Sequence, residues 1–271
     1  MPRTSKKRAD ILIYELGLSE SREQAQTMIM EGLVFQPSGR VLKASTILDE
    51  NTPIEIRGRL PYVSRGGIKL AHALDSFNIN VNDMVVLDVG ASTGGFTDCV
   101  LQKGSSHVYA IDVGHSQIHH KIRTDPRVTV TEKCNARYPF TLPEKVDLIT
   151  IDVSFISLRL ILPSVEQHLK TGCSIVALVK PQFEAEKGEV GRGGIIRDST
   201  IHQRVMSRML NWCADNNFSV ENHCESPIKG DSGNKEFFIM LEKPTANQKF
   251  CNGKVCRMDV QQVAEILLER K

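Results

Sequence analysis

Residues 87–96 read Leu-Asp-Val-Gly-Ala-Ser-Thr-Gly-Gly-Phe, and their flanks decide the fold. Ahead lies the short apolar run from Met84 to Leu87, with two adjacent valines. Behind, Phe96, Cys99 and Val100 recur at helical spacing until Gly104 interrupts the pattern. The order is strand, glycine loop, helix. Glycines at such a junction let the backbone approach a ligand closely and take up turns that a side chain forbids. The N–H groups of the new helix favour a polar or anionic group.

The next strand, HVYAIDVG at 107–114, carries Asp112 twenty-four residues after Asp88. An acid at the tip of the second strand accepts hydrogen bonds from the ribose hydroxyls of an adenosine cofactor. The nicotinamide fingerprint is G-x-G-x-x-G, whereas here an acid stands two residues ahead of the first glycine. That arrangement fits S-adenosylmethionine better than NAD. A lone glycine loop also reads as a purely structural turn, and the paired Asp88 and Asp112 weigh against that. The candidate cofactor set is Asp88, Gly90, Ala91, Ser92, Thr93, Gly94, Gly95, Phe96, Asp112, Val113 and Asn135.

VDLITIDV (146–153), CSIVALVK (173–180) and KEFFIMLE (235–242) are near-continuous apolar runs, as strands buried on both faces require. Between them Leu160, Val165 and Leu169, and later Val205, Met209, Leu210 and Trp212, have helical spacing. Strands alternating with helices predict an α/β fold: an open, doubly wound, Rossmann-like sheet with its ligand at the carboxyl ends of the strands. Asp152 and Lys180 fall at that edge.

The chain has 271 residues, 41% of them hydrophobic, enough for one ordinary core and a small appendage. With 34 basic and 32 acidic residues, nucleic-acid binding has to come from local patches rather than net charge. No signal-peptide pattern and no run long enough to span a membrane is evident, which predicts a cytoplasmic protein. Seven scattered cysteines fit a reducing compartment. Cys99 and Cys173 read as buried small hydrophobes; Cys251 and Cys256 form the one close pair, without evident zinc partners, so no metal is expected.

The first 57 residues have a different texture. Ala9, Leu12, Ile13 and Leu16 mark a helix closed by Gly17. Ser21 and Gln24 suggest a capping box for a second, whose apolar face is Ala25, Met28 and Ile29, ended by Gly32. Short strands follow around the Pro37-Ser38-Gly39 turn, at Val41 and Leu42, and at Pro53 to Ile56. This module, around GLSESREQAQTMIMEGLVF, resembles the S4-type RNA-binding domain. The resemblance implies phosphate contacts by Arg3, Lys6, Lys7, Arg8, Arg22, Arg40 and Lys43, with Arg65 beyond the linker at 58–61. Because Glu15, Glu20, Glu23 and Glu31 lie among them, ordinary solvated charge is the competing reading.

A second domain is expected over 62–271. Its first helix buries Leu70, Ala73, Leu74 and Phe77 and leaves Lys69 off the stripe, toward a cleft. With SRGGIKL, LDVGASTGGFTD, AIDVG, IDVSFISL, LVKPQFE and GNKEFF in that order, the chain resembles the TlyA family, an S4-type domain fused to an FtsJ-like ribose methyltransferase. The resemblance implies 2′-O-methylation of cytidine in ribosomal RNA, within ribosomal subunits, with S-adenosylmethionine as donor. It also implies a catalytic tetrad of Lys69, Asp152, Lys180 and Glu236.

A ribose hydroxyl is a poor nucleophile and must lose its proton as it attacks a sulfonium methyl in line. Lys180 is the candidate base and Lys69 the neighbouring cation, with Asp152 and Glu236 holding both. A nearby cation lowers a lysine pKa and carboxylates raise it, so the net shift stays open. The segment 182–198, with four glycines, reads either as a loop closing on RNA or as a disordered surface loop. Phe155 and Phe183 read as packing or as stacking residues. Two alternatives accompany the enzyme: a membrane-active haemolysin, which is also a description given to the family, and an RNA-binding protein that keeps only the cofactor pocket.

Overall fold

The computed structural model describes residues 5–242 except Glu31, Leu42, Arg59, Leu60 and Asp231. Arg3, Leu42, the Arg59-Leu60 part of the expected linker, the Cys251 and Cys256 pair and the tail to Lys271 lie outside the described residues. The chain divides into two compact units, Met1–Ile68 and Lys69–Lys271, a boundary later than the linker expected at 58–61.

The first unit comprises β1 (Lys6–Arg8), α1 (Ala9–Glu15), α2 (Arg22–Met30), β2 (Val34–Gln36), β3 (Gly39–Arg40), β4 (Ile47–Asp49) and β5 (Glu55–Ile56). β1 pairs with β4, and β3, β2 and β5 form a small antiparallel sheet. Ala9, Leu12 and Ile13 bury with Ala25, Met28, Ile29, Val34, Val41 and Leu48. Leu16 departs from its predicted inward position and is 48% exposed, because α1 ends at Glu15 and Gly17 turns the chain at φ 69°. The capping box closes one residue early: Ser21 Oγ accepts from Gln24 N–H (3.1 Å), but Gln24 Oε1 accepts from Glu20 N–H (2.6 Å).

Asp10 is the buried polar centre of this unit. Its carboxylate accepts from Arg8 at 2.9 and 3.0 Å, from Arg22 at 3.1 Å and from Gln26 at 2.8 Å. The Arg8 guanidinium, then Gln26 and Arg22, hold its carboxyl far below the usual carboxylate range against the opposing effect of burial.

The polypeptide continues through α3 (Arg65–Ser76), in which the unit boundary falls, then β6 (Val85–Val89), α4 (Gly95–Gln102), β7 (His107–Ile111), α5 (His120–Arg123), β8 (Val128–Thr131) and β9 (Val146–Ile151). It ends with α6 (Leu162–Val165), β10 (Leu169–Val179), α7 (Pro181–Glu184), α8 (Ser199–Asp215), β11 (Ser219–Glu225) and β12 (Phe237–Glu242). Seven strands form one sheet in the order β11-β12-β10-β9-β6-β7-β8. Strands β6 to β10 run parallel, whereas β12 is antiparallel to both β10 and β11. The chain builds outward from β6 through β7 to β8, then returns to lay β9 and β10 on the other side. The order therefore reverses between β6 and β9, which is where an open α/β sheet has its crevice.

The helix expected over 160–169 is broken into 3₁₀ turns at Leu158–Leu160 and Glu166–His168 with the short α6 between them. Pro163, near the start of α6, has no N–H to continue a preceding turn, and Leu169 already belongs to β10. Cys99 is buried as predicted, while Cys173 is only half-buried.

Replacing Asp10 with Asn should destabilise the first unit by about 1–3 kcal/mol at pH 7, since two arginines and a glutamine lose a charged acceptor. Because the folded pKa is depressed, the Asp10 contribution is present above about pH 4 and lost as pH falls through the folded pKa. Hydrogen exchange of amides 5–56 at several pH values should therefore show a gap between wild type and variant that closes only in strong acid.

Candidate active site

Strand register explains how residues far apart in sequence meet. Val89 of β6 pairs with Ile151 of β9, so Gly90 and Asp152 leave neighbouring strand ends together. Asp152 N–H donates to Val89 O at 2.9 Å. Gly90 sits at φ 82°, and a Cβ there would strike the Asp152 carbonyl, so the close backbone approach requires glycine. On the other side of β9, Val179 of β10 pairs with Phe237 of β12. Lys180 and Glu236 thus lie just outside adjacent strand ends.

The predicted tetrad resolves into two ion pairs. Lys69 Nζ donates to Glu236 Oε2 at 2.6 Å, with both side chains nearly buried. Lys180 Nζ lies 2.6 Å from Asp152 Oδ1 and donates to Ser154 Oγ at 2.8 Å. Lys69 is therefore buried and paired rather than projecting free, and each lysine has its own carboxylate.

Three contributors were not singled out from sequence. Ser154 is the hydroxyl partner of Lys180. Gly230 leaves room for Glu236, whose Oε1 a Cβ would strike. Asn234, buried, accepts from Ile196 N–H at 2.9 Å and donates to Gly194 O at 2.8 Å, fastening the turn at 191–196 to the approach to β12. Glu189 bonds Arg208 of α8 at 2.6 Å. The segment 182–198, expected as a lid or a disordered loop, is thus fastened at several places along its length.

The glycine loop bears out its predicted strand–turn–helix context, with a redistribution of roles. Asp88 is fully buried, accepting from Thr97 Oγ1 at 2.6 Å and Thr150 Oγ1 at 3.0 Å. Burial pushes its carboxyl up to about 6, against those two hydroxyls. It braces the loop from behind and offers no surface to a ligand, contrary to its place in the predicted cofactor set. Phe96 is likewise a core residue, buried 6.1 Å from the Phe238 ring, and Gly94 and Gly95 are buried.

Gly90, Ser92, Thr93, Asp112, Val113 and Asn135 retain exposed surface, while Ala91 is buried. Asp112 Oδ2 accepts from Ser92 N–H at 2.8 Å and Oδ1 from Gly114 N–H at 2.6 Å. Cys134 N–H donates to Asp112 O at 2.9 Å, which brings Asn135 beside it.

Phe155 is 90% exposed at φ 62°, its ring 5.0 Å from that of Phe183. Simple core packing does not describe it. Of the expected RNA contacts, Lys6, Arg40 and Lys43 are exposed; Lys7 pairs with Glu15 at 2.6 Å, and Arg8 and Arg22 are engaged by Asp10. Arg65 is half-buried.

A seven-stranded sheet with a glycine turn at its switch point and lysine–carboxylate pairs beside it defines a Rossmann-like methyltransferase. Residues 62–243 match the family described as FtsJ-like methyltransferase, and the chain belongs to that family. It is 46% identical over 254 residues to YqxC of Bacillus subtilis, to which rRNA methyltransferase activity is ascribed, covering 91% of this chain and 89% of the relative. It is 38% identical over 242 residues to the 16S/23S rRNA (cytidine-2′-O)-methyltransferase TlyA of Mycobacterium tuberculosis, covering 88% and 90%. A solved Streptococcus thermophilus structure, described as a hemolysin, is 44% identical with a TM-score of 0.70 and 97% of each chain covered. The resemblance to the TlyA family read from the motifs is thereby borne out.

Replacing Gly230 with Ala should push the Glu236 carboxylate off Lys69 and lower the methyl-transfer rate by about tenfold or more, since misplacement near the chemistry is costly. The melting temperature should move by no more than a few degrees. Initial rates alongside thermal melts check this.

Proposed function

We propose that this protein methylates the ribose 2′-hydroxyl of cytidine in ribosomal RNA, with S-adenosylmethionine as donor, acting in the cytoplasm on ribosomal subunits. The observation that carries the reading is the pair of lysine–carboxylate contacts set beside the glycine turn at the switch point. The relatives' names supply the substrate class.

The cradle suits an adenosine cofactor. Gly90 has the close backbone approach described above, and Asp112 spends one lone pair of each oxygen on a backbone N–H while keeping further acceptor capacity and exposed surface. Ser92, Thr93, Val113 and Asn135 are the other residues with surface to hold it. When bound, S-adenosylmethionine supplies a sulfonium methyl open to in-line displacement.

In this reading the neutral form of Lys180 takes the 2′-hydroxyl proton onto Nζ as the oxygen attacks. Asp152 and Ser154 fix where Nζ points, and Asp152 stabilises the ammonium so formed. Lys69, anchored by Glu236, supplies fixed positive charge for the developing oxyanion. The first unit serves as the S4-type RNA-holding domain, with Lys6, Arg40 and Lys43 as its freest cations and Arg8 and Arg22 as oriented ones. The lytic alternative rests on a name carried by relatives, whereas the transfer reading rests on geometry.

Lys180→Arg keeps the positive charge but cannot act as a base at any working pH. Both Lys180→Arg and Lys180→Ala should lose at least about a hundredfold in transfer of labelled methyl to ribosomal subunits. Their affinity for S-adenosylhomocysteine should stay within about twofold of wild type, as expected when a group acts only in the transition state. Undiminished transfer by Lys180→Arg would exclude the base assignment.

A further inference from the structure

Glu184 closes α7, four residues after Lys180, and its side chain is turned inward and only 8% exposed. Both oxygens are used on the segment that follows the neighbouring strand, β9. Oε2 accepts from Ser157 Oγ at 2.6 Å and Oε1 from Leu158 N–H at 2.7 Å. Ser157 Oγ in turn accepts from Arg159 N–H at 3.2 Å, capping the 3₁₀ turn Leu158–Leu160. Burial pushes the Glu184 carboxyl up, opposed by Ser157, the Leu158 N–H and the Arg159 charge. A buried carboxylate with both oxygens committed to one neighbouring segment is a fastening.

That segment is the one that carries the lysine's partners. It leaves β9 at Asp152, which is fixed to β6 through its N–H, and is fixed again at Ser157 and Leu158 by Glu184. Between the two anchors lie Ser154, which receives Lys180, and Phe155, at φ 62° with its ring almost wholly in solvent. A bulky residue at positive φ is strained, and such a conformation persists only where the surroundings impose it. Hydrophobic burial does not impose it here, since the residue is 90% exposed, its ring 5.0 Å from that of Phe183, the residue next to Glu184.

We propose that Glu184 is a positioning residue for methyl transfer, clamping the arm after β9 to the helix after β10 so that Ser154 stays on Lys180 and Phe155 stays raised. The inference rests on the reading of Lys180 as the base. Glu184 itself touches none of the reacting atoms. It works by holding the strained turn between Asp152 and Ser157, so its loss lets the turn relax and the Lys180 ammonium swing on Asp152 alone.

The test combines a rate with a conformational readout. Glu184→Ala, Glu184→Gln and Ser157→Ala are compared with wild type and Lys180→Ala for methyl transfer, S-adenosylhomocysteine affinity and melting temperature. The same Glu184 and Ser157 changes are placed in a Phe155→Trp, Trp212→Phe background, where the single tryptophan reports the turn by anisotropy.

Glu184→Ala should lower kcat about tenfold or more, as loss of near-attack geometry does. Cofactor affinity should hold within about twofold, and the reporter should become more mobile. Glu184→Gln should recover kcat to within about threefold, because its amide oxygen still accepts from Leu158 and its NH₂ donates to Ser157 Oγ. Ser157→Ala should fall between.

Wild-type kcat and an unchanged reporter in folded Glu184→Ala would overturn the clamp. So would a rate loss in Glu184→Ala that Gln does not rescue and that tracks the melting temperature. If Glu184→Ala does not fold, Ser157→Ala at wild-type melting temperature decides: full rate with an unchanged reporter overturns the proposal, and a slowed rate with a loosened reporter supports it. Full activity of Lys180→Ala would instead remove the base assignment, while the reporter still decides whether Glu184 holds the turn.

Discussion

The active edge depends on the parallel pairing of β6 with β9. Both strands are laid down as apolar ribbons, and once Val89 and Ile151 are in register the two chains leave the sheet too close for any side chain at position 90. Asp88 secures the same junction from inside. Its carboxyl joins Thr97 of α4 to Thr150 of β9, so strand, helix and neighbouring strand share one buried hydrogen-bonded node. Without that node the glycine turn would have freedom that no ligand contact could economically remove. Preorganisation of the loop therefore comes from behind it.

The two ion pairs have to be explained differently. Taking lysine and carboxylate out of water costs several kcal/mol per ion, and well-packed apolar replacements often do as well or better for stability. Lys69 and Glu236 are nearly inaccessible and Lys180 and Asp152 largely so, yet all four sit at strand ends or on a helix beside a crevice rather than in the centre of the core. A stability role accounts poorly for that placement, whereas chemistry at the crevice accounts for it. In the proposed mechanism, one carboxylate per lysine also separates two duties, positioning the base and anchoring the neighbouring cation.

Much of this was legible in the chain because the signals are local. Apolar runs gave the parallel strands, Gly90 and Gly94 the turn, and the motifs around Lys69, Asp152, Lys180 and Glu236 the residues that pair. What escaped has a common physical cause. Whether Asp88 faces a ligand or the core depends on hydroxyls at positions 97 and 150, the second of them far off in sequence. The same holds for Asn234 on the 191–196 turn and for Gly230 beneath Glu236. The 160–169 helix failed for a local reason, since an apolar spacing of five and four residues fits a helix face only if Pro163 is ignored.

The first unit applies the same economy to its surface. Arg8 and Arg22 are about half exposed, yet each is tied to the fully buried Asp10. An arginine has five N–H donors, so the hydrogen bonds to Asp10 leave others to face outward. Asp10 subtracts one charge locally, but it holds two planar groups in place before any partner arrives, which lowers the side-chain entropy lost on binding. Freely solvated lysines such as Lys6 and Lys43 give long-range attraction to polyanions without geometry. In the proposed reading the two kinds of cation would attract a phosphate backbone and then orient it, and near-neutral total charge is no obstacle because positive groups act locally.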